Sequence, residues 1–306
     1  MADLKVKFLG LTFANPLVMP SGIIQEIGDH VRAEKAGAGG VTTKSLTKEP
    51  REGNPLPRVI KYPFGLLNSV GLRNPGIKEG VKQLKEFVAQ SKIPVIASVF
   101  SANVPDFVSL TEQVVTAKPD FIELNLSCPN TTDELGESLG MGAESTEKSV
   151  AAVRQAVGKK IKLIAKLSPN VANIDQVAKA ASDAGADAIS AINTVGPGMV
   201  IDIATKKPRL GNKKGGVSGP GIKPVAVRCV YDIYKAVKIP IIGMGGVETV
   251  LDVVEMMLAG ATLVGVGSAT YRHGFGVYQK INQGLEKYLE ENKIKSLAEL
   301  VGGAHE

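Results

Sequence analysis

The chain has 306 residues, 44% of them hydrophobic and 22% charged, which is enough to bury a sizeable core. Its formal net charge of +6 is spread over dispersed Lys and Arg, and 5% of residues are aromatic with no Trp; this argues against a nucleic-acid surface and for solvated faces. No apolar run approaches membrane-spanning length and Met1 to Lys7 lack a signal-peptide core, so a cytoplasmic protein is expected.

Residues 4–14 read as a hairpin turning near Gly10, placed to cap a barrel floor. Short apolar or β-branched runs then recur at Leu17–Pro20, Gly40–Ser45, Pro94–Val99, Asp120–Ser127, Ile161–Ser168, Ala188–Thr194, Pro240–Gly246 and Leu263–Ala269. They are continuous rather than alternating, as parallel strands buried on both faces require. Helical patterns separate them: Ile77, Val81, Leu84 and Val88, then Val150, Val153 and Val157, then Val227, Val230, Ile233 and Val237, then Ile281, Leu285 and Leu289. A weak repeat, Ala36-Gly37-Ala38, Ala184-Gly185-Ala186 and Ala259-Gly260-Ala261, closes a helix and opens a strand each time, with glycine as the left-handed cap.

This alternation predicts an α/β fold, a (β/α)₈ TIM barrel with an N-terminal hairpin, as one domain over 1–306. Two long Gly- and Pro-rich stretches interrupt it, 46–76 after the second strand and 195–222 after the sixth. Both are expected as inserted loops on the catalytic face, covering substrate.

Candidate chemistry gathers at the strand ends. In Asn125-Leu-Ser-Cys-Pro-Asn130 a thiol follows a strand, Pro129 stops it, and amides flank it; Cys128 suits a general base better than packing. Cys229 sits mid-helix and reads as core, and with two cysteines and no Cys/His cluster no zinc or iron–sulfur site is expected on this chain. His30, His273 and His305 show no partner spacing. Lys44 and Lys166 end strands, where a buried ammonium calls for an anion unless it snorkels to the rim. Four amides, Asn68, Asn125, Asn130 and Asn193, fall on one rim and match a planar ligand with carbonyls and N–H groups. Gly245, Gly246, Gly267 and Ser268 follow the last two strands, the usual phosphate position of such barrels, though close packing also asks for glycine.

Asn125-Leu-Ser-Cys-Pro-Asn130, Asn68-Ser-Val-Gly-Leu72, Ile192-Asn-Thr194, Ser218-Gly-Pro220 with Ile222-Lys-Pro224, and Gly243-Met-Gly-Gly246 together resemble the dihydroorotate dehydrogenases, from about residue 4 to residue 290. The resemblance implies an FMN-bearing barrel, one FMN per chain, that oxidises dihydroorotate to orotate in pyrimidine synthesis. A cysteine base marks class 1; class 2 uses serine and an N-terminal membrane-associating extension. Residues 198–220 look like class 1B, which implies a partner subunit holding FAD and a 2Fe–2S cluster, electrons passing to NAD, and a homodimer of barrels. Cys128 would take the proton from C5 while hydride leaves C6 for the flavin. Lys44, Asn68, Ser69, Val70, Gly71, Leu72, Asn125, Asn130, Asn193 and Thr194 would hold substrate. Ser21, Lys44, Ser45, Asn125, Lys166, Ile192, Gly219, Gly245, Gly246, Gly267 and Ser268 would hold FMN. One departure stands out: Ala97-Ser98-Val99 carries serine where many relatives show asparagine. The rival readings are a fumarate-linked class 1A enzyme, a flavin-dependent dihydropyrimidine dehydrogenase, a flavin-free phosphate-ligand barrel and a non-catalytic binding module.

Overall fold

The structure, a computed structural model, describes residues 3–127 and 142–305. In chain order, β1 (Val6–Phe8) and β2 (Leu11–Phe13) form the hairpin, followed by β3 (Leu17–Met19), α1 (Val31–Lys35) and β4 (Gly40–Thr42). Then come β5 (Val59–Tyr62), β6 (Gly65–Asn68), α2 (Gly76–Gln90), β7 (Val95–Val99), α3 (Val104–Val115) and β8 (Phe121–Asn125). Next are α4 (Ala143–Val157), β9 (Leu163–Lys166), α5 (Ile174–Asp183) and β10 (Ala188–Ala191). Four short strands follow: β11 (Val195–Gly198), β12 (Ile201–Asp202), β13 (Lys207–Pro208) and β14 (Gly215–Ser218). The chain ends with α6 (Lys223–Ala236), β15 (Ile241–Met244), α7 (Val250–Leu258), β16 (Leu263–Gly265), α8 (Ser268–His273) and α9 (Val277–Glu291).

Eight parallel strands close into a barrel in the order β10-β15-β16-β3-β4-β7-β8-β9. Each of the eight expected runs supplies one of these strands. Every residue of β3, β4, β7, β8, β9, β10, β15 and β16 is buried, because helices cover the outside and side chains fill the inside. The helices bury the faces their spacing requires, for instance Ile281, Leu285 and Leu289 of α9. Gly37, Gly185 and Gly260 all sit at positive φ just past a helix, so the repeated Ala-Gly-Ala is a cap that starts the next strand.

The hairpin seals the floor. Phe8 and Phe13 meet edge to face with ring centroids 5.9 Å apart, and both lie against Phe121 at the start of β8. The catalytic face is more ordered than expected. The two stretches read as loops pair with one another into a four-stranded antiparallel sheet, β11-β14-β6-β5, in which Gly216 lies opposite Asn68 and Val217 opposite Leu67. Glycine hides this strand from a propensity argument, yet the packing demands it: a Cβ on Gly216 would lie 2.0 Å from Thr194 Oγ1. Among the described residues no helix is long and apolar enough to cross a membrane.

Candidate active site

A cleft of about 1210 Å³, counting its open mouth, lies between the C-terminal strand ends and this added sheet. Such barrels carry their chemistry on this face because the strand-to-helix loops converge there. Parallel register sets Asn125 and Lys166 side by side at the ends of β8 and β9. Lys44 and Ser45 reach the cleft just past β4, and Ile192, Asn193 and Thr194 just past β10. Asn68, Val70, Gly71 and Leu72 reach it from the added sheet and its return.

Electrostatics give the cleft its preference. Lys44 and Lys166 are both buried and line it. The Lys166 ammonium has no hydrogen-bond or ion-pair partner among the described residues. A buried cation in that position favours an anionic or carbonyl-rich ligand, since its desolvation is otherwise uncompensated.

A hydroxyl and amide network lines the floor. Ser45 Oγ lies 3.2 Å from Ser21 Oγ and 2.9 Å from Ser98 Oγ, and it accepts from Asn125 Nδ2 at 3.0 Å. Ser98, the departure noted in the sequence, donates to Glu123 Oε1 at 3.0 Å. Asn193 Nδ2 donates to the carbonyl of Ser127 at 2.8 Å and to its hydroxyl at 3.0 Å, steadying the residue that precedes Cys128 in sequence. Cys128 and Asn130 themselves lie outside the described residues.

At the opposite wall Gly245, Gly246, Gly267 and Ser268 line the cleft. Gly245 has φ +132 and a Cβ there would lie 2.6 Å from Ala226 Cβ, so backbone alone can face the ligand. Ser268, which lines this wall, is also the first residue of α8, so backbone N–H groups of a strand-to-helix turn are available there for a phosphate. The donor set therefore fits a flavin mononucleotide: cations and amides for the ring, bare backbone for the phosphate.

Two expected residues do not reach the cleft. Ser69 points the other way along the return from β6, its Oγ accepting from Asn54 Nδ2 at 2.8 Å and Asn212 Nδ2 at 2.9 Å, and so ties the two insertions together. Gly219, at φ +98, is packed against Gly65, where a Cβ would lie 2.7 Å from its Cα. Ser218, Ile222 and Met244, which the sequence offers within motifs but without a site role, line the cleft, as does Tyr271, which no motif contains. Tyr271 stands half exposed at the mouth, three residues past Ser268, so only the helix phase could have pointed to it. Cys229 is buried in α6 as expected, and burial pushes its thiol pKa up. His30 is buried against Phe87, His273 meets Glu248 at 3.1 Å on the surface, and His305 stacks on Tyr231; none lines the cleft.

The fold and cleft define a parallel α/β barrel with a ligand-binding cleft at the C-terminal ends of its strands. The model of the dihydroorotate dehydrogenase family matches residues 3–289, and the chain belongs to that family. Similar relatives include the catalytic subunit of dihydroorotate dehydrogenase B (NAD(+)) from Pyrococcus furiosus, 45% identical over 98% of both chains. The protein of the same description from Methanothermobacter thermautotrophicus is 41% identical over 99% of both. Among solved structures, dihydroorotate dehydrogenase from Eimeria tenella in complex with ferulenol superposes with a TM-score of 0.86 at 22% identity, covering 99% of this chain and 89% of that one. That likeness bears on the fold.

Proposed function

We propose that the chain is the catalytic barrel of an NAD-linked dihydroorotate dehydrogenase. It would oxidise dihydroorotate to orotate in pyrimidine synthesis, with one FMN per barrel. The observation that carries this reading is the cleft's division of labour. Lys166, buried and with no hydrogen-bond or ion-pair partner among the described residues, and the amides Asn68, Asn125 and Asn193 face one region, and the bare glycine wall faces another. Bound FMN supplies a hydride acceptor. The chain's own residues would do the rest. Cys128 removes the C5 proton. Lys44, Asn68, Asn125, Asn130, Asn193 and Thr194 orient the substrate. Ser21, Ser45, Lys166, Ile192, Gly245, Gly246, Gly267 and Ser268 hold the cofactor. The added sheet excludes water above them.

The barrel would pass electrons to a partner subunit holding FAD and a 2Fe–2S cluster, and would work in the cytoplasm as a homodimer of barrels acting as one domain each. The relatives' names, a catalytic subunit and NAD(+), support the partner. The test is direct. The purified chain should carry a yellow flavin, and Cys128→Ala should keep it while turnover falls about 10²-fold or more, the scale of lost general-base catalysis. A colourless protein that refuses FMN would remove the reading. Rapid turnover of the isolated barrel with fumarate would move it to the partner-free class.

A further inference from the structure

The hydroxyl chain on the cleft floor has a direction, and a buried carboxylate sets it. Glu123 and Ser98 are both interior to the barrel, at 1% and 0% exposure. Ser98 Oγ donates to Glu123 Oε1 at 3.0 Å, which uses the single hydrogen of Ser98. Ser98 can then only accept across its 2.9 Å contact with Ser45, which commits the Ser45 hydrogen. From the other side, the Ser127 backbone N–H must donate, and it meets Asn125 Oδ1 at 3.3 Å. This turns Asn125 Nδ2 onto Ser45 as a donor at 3.0 Å.

Ser45 therefore has one hydrogen given and one lone pair filled. Its contact with Ser21 at 3.2 Å can only be a donation from Ser21. The hydrogen of Ser21 is thereby spent, and this hydroxyl, which lines the cleft, has only lone pairs left for a ligand. Each direction follows from the two directed bonds at the ends, Ser98 to Glu123 and Asn125 to Ser45.

We infer that Glu123, acting through Ser98, is a positioning residue that makes the cleft floor at Ser21 a pure hydrogen-bond acceptor, so that the site favours reduced over oxidised flavin. This rests on the FMN reading above. Reduction of a flavin by a hydride equivalent turns a ring nitrogen from an acceptor into an N–H donor. Set against that nitrogen, an acceptor-only Ser21 can bond its N–H in the reduced ring and can give the same nitrogen nothing in the oxidised ring. Freeing the chain's direction would let Ser21 donate, and the oxidised ring would gain one hydrogen bond.

The experiment measures oxidised FMN binding to apoprotein by fluorescence quenching, and the midpoint potential of bound flavin by spectroelectrochemistry. Ser98→Ala keeps the charge of Glu123 and cuts the chain; Glu123→Gln keeps the shape and lets either direction form; Ser98→Thr keeps the hydroxyl. One net hydrogen bond of about 1 kcal/mol predicts oxidised FMN bound about fivefold more tightly in the first two variants. For a two-electron couple that fivefold change lowers the potential by about 20 mV. Ser98→Thr should match wild type. Removing a negative charge by itself would raise the potential, so a rise in Glu123→Gln overturns the inference, as does an unchanged potential in both it and Ser98→Ala. Because Glu123→Gln preserves volume, it carries the test if Ser98→Ala does not fold. Wild-type apoprotein that fails to take up FMN sinks the cofactor reading and the inference together. Wild-type uptake with unaltered variants sinks the inference alone.

Discussion

Replacing Lys166 by Met separates the cost of a buried cation from its use. The side chain is buried at the end of β9 with no hydrogen-bond or ion-pair partner among the described residues. Met keeps most of the aliphatic stem and removes the charge. In the empty protein this relieves an uncompensated desolvation, worth about 1–3 kcal/mol in the variant's favour. At roughly 2 °C per kcal/mol for a chain this long, apoprotein melting should rise by about 2–6 °C. With FMN present the sign reverses. A charge-assisted hydrogen bond contributes about 1.5–3 kcal/mol, so cofactor affinity should fall about 10- to 150-fold. FMN-induced stabilisation should shrink with it, since that gain scales with the logarithm of ligand over dissociation constant. Scanning calorimetry of apo and FMN-saturated forms reads both signs from the same samples. Apoprotein of the variant melting below wild type, or an unchanged FMN titration, would refute the reasoning.

Gly245→Ala should cost about 1–3 kcal/mol of stability and weaken FMN binding, because φ +132 strains any side chain and its Cβ would meet Ala226; urea unfolding and flavin titration check the two effects. Ser69→Ala should lower stability by about 1–3 kcal/mol by leaving the Asn54 and Asn212 amides short of an acceptor, while orotate affinity of the folded enzyme stays within about twofold, as measured by calorimetric titration. Tyr278, fully buried, donates to the Val266 carbonyl at 2.8 Å, so Tyr278→Phe should cost about 1–3 kcal/mol in denaturant unfolding. Burial lowers the pKa of His30 below 6.5. Its folded form then binds fewer protons than the unfolded chain, so its contribution is fully present above 6.5 and is lost as pH falls below that value toward the folded pKa. His30→Leu should flatten that part of the stability-versus-pH curve, read from urea midpoints on either side of 6.5.

The barrel was legible because each of its strands is a continuous apolar run and each helix repeats every three or four residues. The Ala-Gly-Ala caps then marked the seams between them. Lys166 and Asn125 were legible because a cation or an amide at the end of such a run has no apolar reason to be there. The added sheet was not. Its strands are short, β14 is opened by two glycines, and their partners lie some 150 residues away at Asn68, so neither propensity nor local period could announce the pairing. Ser69 shows the same limit at the scale of one residue. Asn68 and Val70 line the cleft, but only the pleat decides that they do so while Ser69 faces the second insertion. Glu123 was passed over inside an apolar run, and its meaning appeared only when Ser98 from a neighbouring strand was seen to bond it.

The roof over the cleft has a consequence for how the molecule is made. Half of it, β5 and β6, precedes the third barrel strand; the other half, β11 and β14, follows the sixth. Contacts this distant in sequence form late, after nearer ones have closed. On a chain emerging from its N-terminus, β6 waits unpaired along one edge until residue 218 has arrived. The mouth of the vessel is therefore finished only when six of its eight wall strands have been made.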